Sequence, residues 1–359
     1  MRPFRYENVF AQASFQFCGH IDEYLIANTR RLGLVYFQTR FGKGGHMFRR
    51  YEEGRLVEER RLGFASSCSG YYWGMLRHWR RELNAFRAGK DRVTAIFTHP
   101  ILAMGLCSMK NVRTVFWQWD YFPDGTVKSR LFNACARFYA PKCDVYRPLT
   151  HAIGKAVGIP DAEPLMLGMK PPTQSGDVAS SRLLLVGQLR CGQGVEETLD
   201  FIAGNGEYSL SLLGASANGF GDEIRRRIAE GRMDGRVFFP DRFVSDGELR
   251  NEAAKCFASL ALYDSTPGNF THYADPGKVK SSIEMGLPVI MTRISEIVPF
   301  VERFHAGEVV DSASGLHGAI AKIRHDPGSY FSGCRAFAEH FDYGRYYGAN
   351  LCDRKVCAL

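Results

Sequence analysis

"RLLLVGQLRCGQGVEETLDFIA", Arg182 to Ala203, decides the fold. Arg182 to Leu189 is a short apolar run, the signature of a parallel strand buried on both faces. "GVEETLDFIA" follows it with helical spacing. The alternation then repeats down the chain. "YSLSLLGA", "RVFFPDRF", "ASLALYDS" and "LPVIMT" read as strands, with "GDEIRRRIAEG", "DGELRNEAAKC" and the segment before "LPVIMT" as helices between them. Such alternation predicts a doubly wound parallel α/β sheet.

Working outward, "GMKPPTQSGDVASS" upstream is rich in Pro, Gly and Ser and carries no apolar period, which predicts an interdomain linker over 168–181. The first half is less regular. "HIDEYLIANTRR" and "YYWGMLRHWRRELNAFRAG" read as helices. "LGLVYFQT", "RVTAIFTH", "RTVFWQWD" and "CDVYRPL" read as strands, and "HMFRRYEEGRLVEERRLGF" as a hairpin turning at Glu53-Gly54. The expected domains are therefore 1–167, a second α/β sheet, and 182–345, with a tail over 346–359. Ligands of such sheets bind outside the carboxyl ends of the strands, so the site is expected there, where the two domains face one another.

Composition narrows the classes. The 359 residues carry a net charge of +8, with 25 Lys+Arg against 14 Asp+Glu in residues 1–165 and 21 against 24 in the remainder. The first half, at +11, predicts an anionic partner, nucleic acid or an anionic membrane surface. No RNA-binding signature accompanies the charge, which makes nucleic acid the weaker choice. No apolar run approaches the ~18 residues that span a bilayer, and "MRPFRYENVFAQASF" has no secretory apolar core. The ten cysteines form no C-x-x-C pair, as expected of free thiols in a reducing compartment. The expected location is cytoplasmic, with peripheral attachment to the inner face of the membrane. No D-x-D pair, P-loop, G-x-G-x-x-G or G-x-S-x-G motif occurs.

"DPGKVKSSIEMGLPVI", Asp275 to Ile290, carries the most specific chemistry. Pro276 fixes φ and Gly277 admits close backbone approach. Lys278 to Ser282 begin a helix whose N–H groups favour an anion, and Lys278 adds a full charge. The plainer reading is a solvated lysine at a helix start. In the helix from Tyr71 to Ala88, Tyr72, Leu76, Trp79, Leu83 and Phe86 share one face, flanked by Arg77, Arg80, Arg81 and Arg87. A basic helix carrying Trp79 fits a membrane surface. The same pattern fits a core helix with a solvated basic face.

The pieces "VGQLRCGQGVEETLDFI", "FFPDRFVSDGELRNEAAKC" and "DPGKVKSSIEMGLPVIMTRISEIVPFV" together resemble the donor-binding half of GT-B glycosyltransferases, the family 4-like enzymes above all. The resemblance covers most of 180–345 and implies two Rossmann-like domains. It also implies transfer of a sugar from a nucleotide-sugar donor to a hydroxyl acceptor, lipid-linked or saccharide. The setting would be bacterial surface polysaccharide or glycolipid synthesis, without a metal or other cofactor. Donor-binding positions carried over are Gly187 and Arg190 in the loop after the first strand, then Gly277, Lys278, Ser281, Ser282 and Glu284. The family's basic loop positions fall on Gln188 and Gln193 here, and its paired glutamates on Tyr273 and Ser281. Glu296 matches an acidic position after the next strand, where an exposed loop carboxylate is the plainer reading. On the acceptor side the resemblance points to Gly19 and His20, before a helix, and to His99, which otherwise reads as a turn cap. Asp120 stands just past a strand end, where an acid can take an acceptor proton; its plainer reading is a turn or N-cap residue. Rival readings are a sugar-nucleotide epimerase and a non-catalytic anion-binding scaffold of the same fold.

Overall fold

The computed structural model describes residues 9–12, 19–37, 46–63, 68–88, 93–217, 219–264 and 269–351. The chain divides into two compact units, Met1–Gly168 with Tyr343–Leu359, and Met169–Asp342.

In the first unit the elements run β1 (Val9–Gln12), α1 (Gly19–Asn28), β2 (Arg31–Phe37), β3 (His46–Glu52), β4 (Arg55–Leu62), α2 (Cys68–Ala88), β5 (Val93–Phe97), α3 (Pro100–Leu106), β6 (Val112–Gln118), α4 (Val127–Tyr139), β7 (Val145–Pro148) and α5 (His151–Val157). Among the described residues they form one sheet in the order β4-β3-β2-β1-β5-β6-β7. β2, β1, β5, β6 and β7 pair in parallel, and β3 and β4 add an antiparallel hairpin at one edge. The hairpin turns where the sequence predicts, with Glu53 at φ 48° and Gly54 at φ 81°. Positive φ at both central residues is what a two-residue hairpin demands, and glycine meets it without strain. Arg49–Glu59 and Arg50–Glu58 ion pairs line the hairpin across its strands, and charge at a sheet edge discourages pairing with another chain.

The second unit runs β8 (Arg182–Val186), α6 (Val195–Gly204), β9 (Ser209–Leu213), α7 (Phe220–Glu230), β10 (Val237–Phe238), α8 (Asp246–Ala253), β11 (Ala258–Ala261), α9 (Gly277–Glu284), β12 (Val289–Thr292), α10 (Val298–Phe304), β13 (Gly307–Val310), α11 (Leu316–His325) and α12 (Pro327–His340). Its parallel sheet has the order β10-β9-β8-β11-β12-β13. In β8, Leu183 and Leu185 enter one core layer and Leu184 and Val186 the other, as the two-residue strand period requires. The chain direction across the sheet reverses between β8 and β11, a switch point that opens a crevice at their carboxyl ends.

Three features depart from the sequence reading. β1 and β13 are additional strands, both short. Residues 169–181 are held to the second unit rather than standing apart: the Lys170 N–H donates to Glu284 Oε1 at 2.7 Å and the Asp177 N–H to the Cys256 carbonyl at 2.9 Å. Residues 346–351, expected in a tail, complete α13 (Tyr343–Leu351), a helix of the first unit. There Tyr347 is buried, its ring 5.2 Å from Trp117 and 5.6 Å from Tyr24, and its hydroxyl accepts the Gly168 N–H at 2.6 Å. The remainder of the expected tail, 352–359, lies outside the described residues.

Candidate functional site

The crevice at the switch point is built from two loops and a helix start, all in the second unit. The loop after β8 leaves the sheet at Gly187, whose φ of 133° suits glycine alone. The loop is packed tightly from behind. A Cβ at Gly194 (φ 77°) would lie 2.1 Å from the Leu262 carbonyl oxygen, and one at Gly214 (φ 148°) 1.7 Å from that of Gly187. Glycine at both positions lets the loop lie directly on the ends of β9 and β11.

Lys278 reaches over this loop. A Cβ on Gly187 would touch the lysine stem at 3.9 Å. The Lys278 ammonium lies 4.5 Å from the Tyr263 ring centroid, and the Arg190 guanidinium 4.5 Å from that of Phe270. Two cations are thus each steadied by an aromatic face from the segment after β11. Burial, with Arg190 as a second cause, pulls the Lys278 pKa down to about 8. Burial lowers that of Arg190 as well. Both shifts mark positive charge that lacks full hydration, which an anion arriving here would relieve. Pro276 provides no side-chain cap to α9, and Gly277, at its first position, has open space around it. The Val279 N–H turns back to the Pro276 carbonyl at 3.0 Å, and the positive end of the helix adds to the anion-binding character.

Beneath this surface is a buried ion pair that the sequence reading passes over. Lys280 Nζ donates to Asp275 Oδ2 at 2.5 Å, with both side chains out of solvent, and lies 4.5 Å from the Phe341 ring centroid. The pair spans the Pro276-Gly277 turn and fixes the start of α9, hence the position of Lys278. Thr292 completes the frame: its hydroxyl lies 2.8 Å from the Tyr263 N–H and 2.9 Å from the Tyr263 carbonyl oxygen.

Gly187, Arg190, Gly277 and Lys278 thus gather around the crevice. Ser282 and Glu284 do not belong to its surface. Ser282 is buried, with its hydroxyl 2.7 Å from Ser259 Oγ and 2.8 Å from the Lys278 carbonyl oxygen, so it bolts α9 to β11. Glu284, at the far end of α9, accepts the Lys170 N–H, and burial raises its carboxyl pKa. Ser281 is half-buried on the fifth residue of the helix. Of the two glutamines in the loop, Gln188 is exposed and Gln193 is buried. Glu296 is half-buried in the loop between β12 and α10.

In the first unit, Gly19 and His20 open α1, His99 follows β5 and Asp120 follows β6. They therefore stand past the carboxyl ends of three neighbouring parallel strands, β1, β5 and β6. The side chain of His20 lies outside the described residues. His99 is buried and serves as the N-cap of α3: its Nδ1 accepts the Ile101 N–H at 3.2 Å, and its ring meets Phe132 edge-on at 4.7 Å. Burial, with Lys128 as a second cause, pulls its pKa down to about 3, so the capping group is neutral. Asp120 is exposed just past the end of β6, and desolvation of its carboxyl raises the pKa from the ordinary carboxylate value.

The membrane-facing role expected of Trp79 is overturned. Trp79 is 2% exposed, and Met75, Leu76, Leu83 and Phe86 are buried with it. The apolar face of α2 is thus its core face, while Arg77, Arg80 and Arg81 point to solvent. No helix among the described residues is long and apolar enough to cross a membrane.

No protein-family model matches the chain, and no curated protein matches it in sequence. Solved structures do match. Sucrose-phosphate synthase from Thermosynechococcus elongatus superposes with a TM-score of 0.67 at 14% identity, over 95% of this chain and 96% of that one. Anabaena HepE, solved in complex with UDP-glucose, gives 0.66 at 14% identity over 98% of this chain and 100% of that one. The lipopolysaccharide outer core galactosyltransferase WaaB gives 0.60 at 13% identity over 96% and 99%. The likeness runs the length of both chains and establishes the fold these glycosyltransferases share, two Rossmann-like units of the GT-B type.

Proposed function

We propose that this GT-B chain is a glycosyltransferase that moves a sugar from a nucleotide-sugar donor to a hydroxyl acceptor. The observation that carries the reading is the pairing of Lys278 and Arg190 over the Gly187 loop at the switch point of the second sheet. Two incompletely hydrated cations and an uncapped helix start suit a diphosphate. As the acceptor oxygen bonds to the anomeric carbon, the bond from that carbon to the diphosphate breaks. The electron pair leaves with the nucleoside diphosphate, where Lys278 and Arg190 neutralise it. Fixed cations supply this stabilisation directly, so the reading requires no metal. In an inverting reaction Asp120 takes the proton of the acceptor hydroxyl, and a carboxyl with a raised pKa is the better base for it.

A UDP-sugar is the first donor to try, because HepE was solved with one. The acceptor class is a saccharide or a lipid-linked saccharide of surface polysaccharide or glycolipid synthesis, reached by a chain that attaches to the inner face of a membrane. A thermal-shift screen against nucleotide-sugars tests the donor half, since a ligand that binds only the folded state raises its melting temperature. The expected result is a shift with at least one nucleotide diphosphate-sugar that disappears in Lys278→Ala. A panel that shifts neither form overturns the assignment. Turnover of the donor sugar without any acceptor would favour an epimerase instead.

A further inference from the structure

α4 carries an apolar ridge on the side opposite its packed face. Val127, Leu131 and Phe138 are 86%, 54% and 59% exposed, and Ala134 is exposed between them. At 3.6 residues per turn these four positions form one stripe. The opposite side holds Ser129, Phe132, Asn133 and Ala136, all buried. The helix cannot roll to hide the ridge. Asn133 Nδ2 donates to the Phe122 carbonyl at 2.8 Å and its Oδ1 accepts the Phe122 N–H at 3.3 Å, while Phe132 packs edge-on against His99.

Cations border the ridge on both sides. Lys128 flanks it on one side and Arg130 and Arg137 on the other. Beyond the helix end, the Lys142 ammonium lies 3.2 Å from the Phe138 ring centroid. Residues 127–142 contain four basic side chains and no carboxylate.

We infer that the outer face of α4 docks the chain onto an anionic phospholipid surface, with Val127, Leu131 and Phe138 entering the headgroup region and Lys128, Arg130 and Lys142 facing lipid phosphates, while Arg137 is turned to the Ala156 carbonyl and the Tyr121 hydroxyl. An apolar ridge bordered by cations is the arrangement that lies in a bilayer interface. A second copy of this chain fits the ridge poorly, because a two-fold contact would bring the same cations against one another. Nucleic acid offers nothing to an apolar ridge at the centre of the patch. The inference deepens the membrane attachment in the proposed function, and it moves that attachment from α2 to α4.

The test is co-sedimentation of the full chain with phosphatidylcholine vesicles, with and without one quarter phosphatidylglycerol, at low and high salt. Wild type is expected to bind the anionic vesicles and to be released by salt. Leu131→Ser with Phe138→Ser should abolish binding. Lys128→Gln, Arg130→Gln and Lys142→Gln together should weaken it about 100-fold, from about fivefold per cation. Arg77→Gln, Arg80→Gln and Arg81→Gln on α2 should change it far less. Every altered side chain is exposed, and an unchanged melting temperature confirms the fold. Wild type that ignores anionic vesicles, or ridge variants that still bind, overturn the inference. So does a concentration-dependent dimer in sedimentation velocity that the ridge substitutions abolish, since the occupant would then be a second copy. Nucleotide-sugar thermal shifts on the same variants separate the two proposals. Shifts retained by a chain that binds no vesicles defeat the dock alone, and vesicle binding without any shift defeats the transferase reading alone.

Discussion

Lys280 and Asp275 are five residues apart in sequence and joined by a buried ion pair that closes over the Pro276-Gly277 turn. Two positions earlier, Lys278 forms no ion pair with a carboxylate among the described residues and rests on the Tyr263 ring. One lysine is consumed by the architecture and the other is held ready by it.

Removing the carboxylate leaves a charged lysine stranded in the interior. Asp275→Asn is expected to lower unfolding stability by about 3–5 kcal/mol, the usual cost of breaking a buried pair from one side. Asp275→Leu combined with Lys280→Met should recover most of that loss. Urea unfolding of the three chains provides the comparison, and equal stability of Asp275→Asn and wild type would show that the pair contributes nothing.

Replacing Lys278 by alanine should weaken binding of a nucleoside diphosphate roughly 10- to 100-fold, the range for one charge-assisted contact. Stability should hardly fall, because among the described residues Lys278 pairs with no carboxylate. Calorimetric titration reads the affinity, and an affinity equal to wild type removes Lys278 from the site.

Binding should also depend on pH. In the free chain Lys278 loses its proton near pH 8, so affinity for the diphosphate should decline as pH rises from 7 to 10. In Lys278→Arg it should stay flat. The stability effect has the opposite sign. A lysine titrating near 8 when folded and near 10.4 when unfolded holds fewer protons in the folded state between those values. Its cost to the unliganded fold is therefore full below pH 8 and fades as pH climbs toward 10.4.

His99 predicts a separate acid response. Its pKa of about 3 in the fold lies below the ordinary value near 6.5, so the unfolded chain binds the extra proton between those two pH values. Stability should drop as pH falls through that window. His99→Asn keeps a capping acceptor and should flatten the drop. His99→Ala should cost about 1 kcal/mol at neutral pH through loss of the cap. Thermal melts from pH 7 to 4 distinguish the variants.

Asp120→Asn should reduce turnover by about 10²- to 10⁴-fold if the carboxylate takes the acceptor proton, with donor affinity unchanged. A rate within twofold of wild type would remove Asp120 from the chemistry.

The second sheet was legible because its central strands, β9, β8, β11 and β12, are buried and read as apolar runs, as "RLLLV" does. β13, "GEVV", has two half-buried residues among four and starts with a glycine, so no run announces it. That Gly187, Arg190 and Lys278 lie near one another was legible from the resemblance, and Lys278 also from its turn and charge, which are local. The roles of Glu284 and Lys280 were not. Glu284 is bonded to a backbone N–H 114 residues away, and nothing near Lys280 in sequence shows that its outward-looking charge is enclosed. Trp79 and α4 show the same limit from two sides. A helical apolar stripe marks a face but not what covers it. On α2 the stripe is packed against the sheet. On α4 the packed face includes Ser129 and Asn133, and the apolar stripe is the one left outside.

The last helix among the described residues, α13, belongs to the first unit, although the whole second unit precedes it in the chain. During synthesis the second unit has everything it needs once Asp342 has emerged. The first unit must wait until Tyr347 arrives beneath Trp117 and receives the Gly168 N–H. The unit made first is thus finished after the second, and a chain cut between Asp342 and Tyr347 would carry its defect in the first unit.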